Sequence, residues 1–207
     1  MRPLPALGVV LLVVALLVAG GIGLDLVLHP QPAGAFAGCR TARQLSPTQF
    51  AGAPPMCIDT KKNYKGTIKT AKGDFTFVFL TGTAPKTVNN FIVLAVNGYF
   101  DGLSFFRVED WVVQTGDPDN NGRGGPGYTL PAEPSPASDK WDPGSMGMAR
   151  FPNDGISGSQ FFILKTHWPG GPPQSAYNHF ATITLGFDVV GQLTAGDRIR
   201  SVQVQRA

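Results

Sequence analysis

The sequence predicts a mainly β domain, built as a closed antiparallel barrel of about eight strands with one or two helices. Many short segments alternate polar and apolar residues, which is typical of strands with one buried face. The 26 glycines and 18 prolines favour short elements joined by turns. Charged residues make up only 15% of the chain, against about 25% in typical domains. We therefore expect Phe, Val and Ile side chains to pack the inside of a barrel.

The N-terminus is predicted to form a transmembrane helix that precedes this domain. Residues 4–24 are an uncharged run of 21 residues, which is long enough to cross the bilayer core. Arg2 comes before the run, and positive charge on that side places the start of the chain in the cytoplasm. We assign residues 1–28 to a single-pass anchor in the cell membrane, with the C-terminal domain extracytoplasmic.

Cleavage of the N-terminal segment is the alternative. Ala35-Phe36-Ala37 offers small side chains around a processing site, and the stretch ending at Cys39 resembles a lipoprotein cleavage box. The polar gap at residues 29–32 favours an uncleaved anchor, because processing occurs close behind the apolar run. The domain is exported in both cases, and cleavage would make it secreted.

Residues 29–60 are rich in Pro, Ala, Gly and Gln, which predicts an extracytoplasmic linker. Cys39 and Cys57 enclose 17 of its residues, and an oxidising compartment would let them form a disulfide. Two unpaired thiols in a loose linker are the alternative. A metal site is not expected, since two cysteines without a nearby histidine pair have too few ligands.

The folded domain is assigned to residues 61–207 and begins with a hairpin and a helix. Residues 65–80 alternate polar and apolar side chains, which predicts a β-hairpin. Residues 83–98 carry apolar side chains at helical spacing, with Thr83 as the cap and Pro85 in the first turn. One face of the hairpin is expected to carry Phe75, Phe77 and Phe79.

The remaining elements are predicted to be strands around one long loop. Residues 104–117 form two short apolar runs separated by Glu109 and Asp110, and residues 117–144 are rich in turn residues and lack periodicity. Loops of that length are often functional. Further strands are predicted at 144–151, 159–166, 180–187 and 198–205, with a short helical turn at 189–193.

Several function classes lack their sequence signatures. GRGGPG at 122–127 matches a dinucleotide-binding pattern, but Pro126 would interrupt the helix that the pattern needs. DPDNNG imitates the start of a calcium loop, but Tyr128 stands in the twelfth place, where a bidentate Glu is required. A serine triad needs a histidine base, and we expect His167 and His179 to be solvated loop residues. The net charge of +3 is scattered, so no nucleic-acid partner is expected.

The stretch SFFRVEDWVVQTGD places two polar side chains, Arg107 and Gln114, among residues that avoid water. No nucleophile, metal or cofactor fingerprint accompanies them. Such a surface would hold an uncharged apolar group, and any reaction on it should need no covalent intermediate. No cofactor is therefore expected.

Five blocks of the sequence resemble, in order and approximate spacing, the core signature of the cyclophilin-type peptidyl-prolyl cis/trans isomerases. The resemblance covers residues 64–206. It implies an eight-stranded barrel closed by two helices, a site on the outside of the barrel, and acceleration of X-Pro rotation in proline-containing polypeptides. The blocks are FFRV (105–108), WVVQTGDP (111–118), GYTLPAE (127–133), GSMGMAR (144–150) and GSQFFI (158–163).

The resemblance also implies a role for individual residues. Arg107 matches the family's catalytic arginine, and Gln114 matches the amide that holds the substrate carbonyl or supports the arginine. The pocket for the proline ring is expected to be lined by Trp111, Val112, Met148 and Phe162, with Ala149 and Arg150 presenting backbone groups and Tyr177 at the edge.

Three departures from the family pattern affect the expected substrate contacts. Arg107 and Gln114 are one residue closer than usual, Arg150 stands where the family commonly has Asn, and the loop at 166–181 is longer.

Taken together, the resemblance and the N-terminal segment predict a monomeric extracytoplasmic prolyl isomerase. The alternative is a non-catalytic module that uses the same groove to bind proline-containing segments.

Overall fold

The described part of the chain folds into one large curled sheet with two α-helices. The computed structural model describes residues 34, 36–41, 44–136, 138–151, 155–169 and 176–207. The predicted transmembrane segment 1–28 lies outside these residues. Within these ranges, no helix has the length and apolar character needed to cross a membrane.

Eleven strands, two α-helices and one 3-10 helix make up the described elements. The strands are β1 Gln44–Ser46, β2 Gln49–Phe50, β3 Tyr64–Thr70, β4 Asp74–Phe79, β5 Arg107–Val108, β6 Val112–Thr115, β7 Thr129–Leu130, β8 Ser145–Phe151, β9 Gly155–Leu164, β10 His179–Leu185 and β11 Ile199–Arg206. The α-helices are α1 Pro85–Val96 and α2 Phe187–Gln192, and the 3-10 helix is Ala37–Thr41.

The large sheet has nine antiparallel strands and is not a closed barrel. Its order is β11-β3-β4-β10-β8-β9-β6-β5, with β7 paired to β9. The expectation of a closed barrel was wrong, because among the described strands β5 pairs only with β6 and no strand ladder joins it to β11 at the other end of the sheet. The two ends meet at the isolated bridge Ser104–Arg198 and through a hydrogen bond from Phe105 N to Asp197 O of 2.8 Å. The result is a curled half-barrel.

Phenylalanine rings fill the concave side of the sheet. The predicted hairpin is confirmed as β3 and β4, and Phe75, Phe77 and Phe79 are all buried. Helix α1 lies over this layer and inserts Phe91, which is fully buried. The centroid of the Phe91 ring lies 4.7–5.8 Å from the rings of Phe77, Phe79, Phe100, Phe161 and Phe180.

Helix α1 begins one residue later than a Thr83 cap requires. The residue before the helix is Ala84, which makes no side-chain cap hydrogen bond, and Pro85 occupies the first turn. The unpaired amides of that turn are satisfied by the distant Glu133, whose carboxylate accepts from Lys86 N at 2.9 Å and Thr87 N at 2.8 Å. A carboxylate at a helix N-terminus also complements the helix dipole.

Parts of the predicted linker pack against the domain. We call residues 36–41 and 44–58 the N-terminal strap. The expected disulfide between Cys39 and Cys57 is present, and Phe36, Phe50 and Ile58 are buried in the main core. The composition predicted a linker with a disulfide, and these apolar side chains reach the core although they form no periodic pattern in the sequence.

Candidate active site

A pocket of about 110 Å³ opens on the convex side of the sheet, beside strands β5, β6, β8 and β9. Eight of the nine residues expected to form the site line this pocket, and Trp168 is added to them. The lining consists of Arg107, Trp111, Val112, Gln114, Ala149, Arg150, Phe162, Trp168 and Tyr177.

Strand pairing brings Arg107 and Gln114 together. They lie directly opposite one another on β5 and β6, and Val108 lies opposite Val113. The turn between the strands is closed by a hydrogen bond from Glu109 N to Val112 O of 2.8 Å. The short connection noted in the sequence therefore forms a tight hairpin that keeps both polar side chains on one face.

The guanidinium of Arg107 contacts Glu109 and Trp111 at the pocket mouth. Its Nε and Nη2 atoms donate to the two carboxylate oxygens of Glu109 at 2.7 and 3.1 Å. Its Cζ atom lies 5.3 Å from the centroid of the Trp111 ring, a favourable distance for a cation–π contact. The hydrogen bond from Arg107 lowers the pKa of Glu109, so Glu109 is ionised near neutral pH.

A chain of side-chain amides supports the arginine from behind. Arg107 Nη1 donates to Gln114 Oε1 at 3.2 Å, Gln114 Nε2 donates to Gln160 Oε1 at 3.0 Å, and Gln160 Nε2 donates to Gly124 O at 2.9 Å. Gln160 is fully buried. Because each amide donates in one direction and accepts from the other, the chain sets the orientation of all three side chains.

Aromatic side chains form the apolar wall of the pocket. Val112 and Phe162 are buried, while Trp111, Trp168 and Tyr177 are partly exposed and pack against them. The Tyr177 ring stands edge-on to Phe162 with a centroid distance of 5.5 Å. This wall is a small hydrophobic cluster separate from the main core, and it suits a compact uncharged ring.

Met148 does not line this pocket, which corrects the expectation. It is fully buried in the main core and pairs with Phe161 across β8 and β9. Burial in the main core, and not alternation, separates Met148 from its neighbours, because the register shifts after Met148 and both Ala149 and Arg150 line the pocket. Where β9 is regular, alternation places Phe161 in the core and Phe162 in the pocket wall.

The β8–β9 ladder is interrupted at Ala149. Pairing passes from Met148–Phe161 directly to Arg150–Ile156, so residues 157–160 of β9 have no partner on β8 in this register. Irregularities of this kind re-aim side chains and free backbone groups next to active sites. Here the interruption lies beside the pocket at Ala149, while alternation along β9 places Gln160 on the same face as Phe162, next to Gln114.

Sequence reasoning missed three residues around the pocket. Gln160 lies in the block GSQFFI, where it was given no role, and its position one residue before a buried Phe pair was the available signal. Trp168 was left unassigned in the long loop. Trp141, in the stretch taken for a turn-rich loop, is 2% exposed and stacks on Phe162 with a centroid distance of 5.7 Å.

His179 is buried, so the expectation of a solvated loop histidine was wrong for it. It begins β10, stacks on the Trp141 ring at 4.4 Å, and its Nδ1 lies 2.7 Å from Asp139 Oδ2. His167 is largely exposed, as expected. His179 therefore supports the back of the pocket wall through Trp141.

The site chemistry rests on hydrogen-bond donors and apolar surface. Within the described ranges, His, Cys, Asp and Glu form no group arranged to hold a metal ion. The Asp117 carboxylate of the calcium-like stretch accepts from the backbone N–H groups of Asp119 and Asn121 at 2.8 and 3.0 Å. It thus shapes the loop that follows β6.

Comparison with known proteins identifies the family. A sequence model described as cyclophilin type peptidyl-prolyl cis-trans isomerase/CLD matches residues 66–206. A peptidyl-prolyl cis-trans isomerase of Helicobacter pylori is 35% identical over 142 residues, covering 68% of this chain and 86% of that protein. Peptidyl-prolyl cis-trans isomerase B of Bacillus subtilis is 37% identical over 123 residues, covering 59% and 84%.

Solved structures agree with this assignment. The crystal structure of a cyclophilin type peptidyl-prolyl cis-trans isomerase from Cryptosporidium parvum superposes with a TM-score of 0.61 at 26% sequence identity. The match covers 69% of this chain and 98% of that one. The chain belongs to the cyclophilin-type peptidyl-prolyl cis-trans isomerase family and is an enzyme of that class.

Proposed function

We propose that this enzyme accelerates X-Pro rotation in extracytoplasmic polypeptides by donating a hydrogen bond from Arg107 to the prolyl nitrogen. The proline ring occupies the apolar pocket formed by Val112, Phe162 and their aromatic neighbours. The observation that carries the proposal is the position of the guanidinium at the mouth of this pocket. A structure of the Cryptosporidium parvum protein was determined in the presence of the dipeptide Ala-Pro.

The barrier to prolyl rotation comes from amide resonance. An X-Pro bond prefers trans only modestly, but rotation must cross about 18 to 20 kcal/mol. At the twisted transition state the prolyl nitrogen becomes pyramidal and gains a lone pair. A fixed donor aimed at that lone pair is worth more there than in either ground state, so it accelerates the reaction.

Arg107 is suited to this role because it is a donor that stays charged. Its hydrogen bonds to Glu109 and Gln114 use three N–H groups, and a guanidinium has more than three. The pair with Glu109 holds the head group in place at the pocket mouth. Arg107 therefore acts as a hydrogen-bond donor and not as an acid.

Gln114 supports the arginine in this mechanism. Its oxygen accepts from Arg107 and its amide nitrogen donates to Gln160, so both ends of the amide are used within the protein. Of the two roles implied by the resemblance, the geometry favours orientation of Arg107 over binding of the substrate carbonyl. Backbone groups near Ala149 and Arg150 are then the candidates to bind the peptide.

We also propose that the enzyme acts outside the cytoplasmic membrane, as a monomer anchored by residues 1–28. The uncharged run at residues 4–24 and the Cys39–Cys57 disulfide, which suits an oxidising compartment, support this setting. Carbonate extraction of membranes and intact-mass analysis of the native protein test the anchor.

The activity is tested by measuring cis–trans exchange of an Ala-Pro peptide by NMR, with peptide affinity measured on the same sample. We expect faster exchange at catalytic enzyme concentrations. Glu109 accepts two hydrogen bonds from Arg107. A guanidinium occupied in this way would suit the alternative function, a module that binds peptide without catalysis. Peptide binding without any acceleration of exchange would therefore overturn the catalytic proposal.

Titration of Glu109 should lower kcat/KM at acid pH. The hydrogen bond from Arg107 lowers the pKa of Glu109 below its ordinary value of 4.5. The ion pair is therefore intact above that value and is lost only as pH falls through the lowered pKa. We expect kcat/KM to fall in that acid range, because a protonated Glu109 no longer fixes the guanidinium.

The matched control for this step in kcat/KM is Glu109→Gln, whose side chain does not titrate. We expect this variant to lack the step while retaining the same fold at the same pH, as monitored by circular dichroism. An identical acid step in Glu109→Gln would assign the titration to another group.

A further inference from the structure

The N-terminal strap contacts the loop that holds the buried end of the amide chain behind Arg107. We propose that this strap, stapled by the Cys39–Cys57 disulfide, is a positioning element for Arg107. The strap precedes residues 66–206, the part that matches the family, so it is an addition to the family domain. The proposal rests on the Arg107 mechanism given above.

The first chain of contacts from the strap to Arg107 passes through the glycine-rich loop at residues 122–127. Gln49 Nε2 donates to Gly125 O at 3.0 Å, and Phe50 N donates to Pro126 O at 2.9 Å. The neighbouring Gly124 carbonyl accepts from Gln160 Nε2 at 2.9 Å. Two strap residues therefore hold the loop that fixes Gln160, and Gln160 in turn orients Gln114 and Arg107.

The loop is closely confined between the strap and Asp117. A Cβ at Gly127 would lie 2.9 Å from Gln49 Oε1, and this residue has a φ of +94°. A Cβ at Gly124 would lie 2.1 Å from Asp117 Oδ1. Only glycine fits these positions, so the strap touches the loop on one side while Asp117 supports it on the other.

The second chain of contacts passes through the interior. The Phe50 ring packs on Tyr99 with a centroid distance of 6.2 Å. The Tyr99 hydroxyl donates to Ser159 Oγ at 2.9 Å, which donates to Gly116 O at 2.7 Å. Burial raises the pKa of Tyr99 well above its ordinary value, so the hydroxyl remains a donor. Ser159 precedes Gln160, so both chains of contacts converge on one segment of β9.

The disulfide and its surroundings fix the ends of the strap. Arg40 Nη1 donates to Val96 O at 2.7 Å, and Asn97 Nδ2 donates to Cys39 O at 3.1 Å. At the other end, Cys57 N donates to Asn89 Oδ1 at 2.8 Å. These contacts tie both cysteines to helix α1 or its end. Opening the disulfide would remove the covalent link between these ends, and we expect this to weaken the hold of Gln49 and Phe50 on the loop.

The consequence for catalysis concerns orientation. Gln160 would lose a fixed acceptor, and the amide chain would no longer hold Arg107 in one orientation. Small displacements of a catalytic group lower the rate of the chemical step strongly. Peptide binding depends mainly on the apolar wall of the pocket. Neither chain of contacts from the strap reaches that wall, so kcat should change more than peptide affinity.

The test uses the full chain with paired substitutions in the strap. Phe50→Ala removes the ring that packs on Tyr99, and Phe50→Leu is its conservative partner. Gln49→Ala removes the side-chain hydrogen bond to the loop. Gln44→Ala is the matched control, because its amide donates to Pro47 O within the strap at 3.2 Å. The readouts are NMR exchange at saturating Ala-Pro peptide, peptide affinity and the NMR signal of Arg107 Nε.

We expect Phe50→Ala to lower kcat by about three- to tenfold and to shift the Arg107 Nε signal, with peptide affinity nearly unchanged. Phe50→Leu should recover most of the rate. Gln49→Ala should change kcat and the Arg107 Nε signal in the same direction as Phe50→Ala, but by a smaller amount. Gln44→Ala should match the wild type. Reduction of the disulfide in the wild-type protein should reproduce the effect of Phe50→Ala.

A purely stabilising strap would give a different result. If Gln49→Ala and Phe50→Ala lower the melting temperature but keep kcat and the Arg107 signal, the positioning proposal is overturned. Gln49 is exposed, so its variant remains informative even if Phe50→Ala does not fold. Arg107→Ala is measured in parallel: full activity in that variant would reject the mechanism itself, and this outcome differs from failure of the strap proposal alone.

Discussion

Arg107→Ala is expected to lower kcat/KM for an Ala-Pro peptide by about 10²- to 10³-fold, the loss seen when a preorganised donor to a transition state is removed. The physical reason is that the guanidinium binds the prolyl nitrogen only when rotation has given it a lone pair. Peptide affinity should therefore change little. Arg107 is partly exposed and its partner Glu109 is solvated, so the variant should fold normally.

Two further variants test whether catalysis requires the guanidinium of Arg107. Arg107→Lys keeps the positive charge but loses the fork that joins Glu109 to Gln114, so we expect only partial activity. Arg200→Ala, at an exposed position on β11, should match the wild type. Rates are measured by NMR exchange without a coupling protease. Activity of Arg107→Ala within a few-fold of the wild type would reject the mechanism.

Phe91→Ala is expected to destabilise the domain by about 3 to 5 kcal/mol, the usual cost of removing a large buried ring. Phe91 is fully buried and lies at the centre of five aromatic rings contributed by β4, β9, β10 and the turn after α1. Its removal leaves a cavity that cannot collapse without moving both the helix and the sheet. Urea unfolding measures the change in the free energy of unfolding.

The control for Phe91→Ala is the same substitution at a surface position. Phe187 is 38% exposed at the start of α2, so Phe187→Ala should cost less, about 1 to 2 kcal/mol, because part of the ring is already in water. Phe91→Leu should fall between the two, because Leu refills part of the volume. Equal destabilisation by Phe91→Ala and Phe187→Ala would show that the aromatic layer is not the centre of the core.

Local patterns predicted most of the elements. Alternation placed β3 and β4, and helical spacing placed α1, because both periods are set by the backbone geometry of a single element. The apolar runs around Glu109 and Asp110 correctly indicated the β5–β6 hairpin. The motif blocks identified the family, since five short matches in order are far more specific than one.

Predictions failed where a strand is irregular or where contacts join residues that are distant in sequence. The register shift after Met148 breaks regular alternation, so the sequence alone could not show which residues of this stretch line the pocket. No local pattern indicated that Glu133 would bind the amides of Lys86 and Thr87, which lie 47 and 46 residues away. Whether a ladder joins the two ends of the sheet likewise depends on how the sheet curls, which only the assembled structure shows.

By itself, the sequence determined the β-rich domain, the family, the cysteine pair and the placement of Arg107 and Gln114 in one apolar stretch. Only the tertiary structure decided that Gln160 orients Gln114, that Trp168 joins the pocket wall, and that the supposed linker packs on the domain. The physical reason is that periodicity reports on neighbours within one element. The amide chain and the strap depend on hydrogen bonds and ring contacts between residues that are distant in sequence and become neighbours only when the sheet curls.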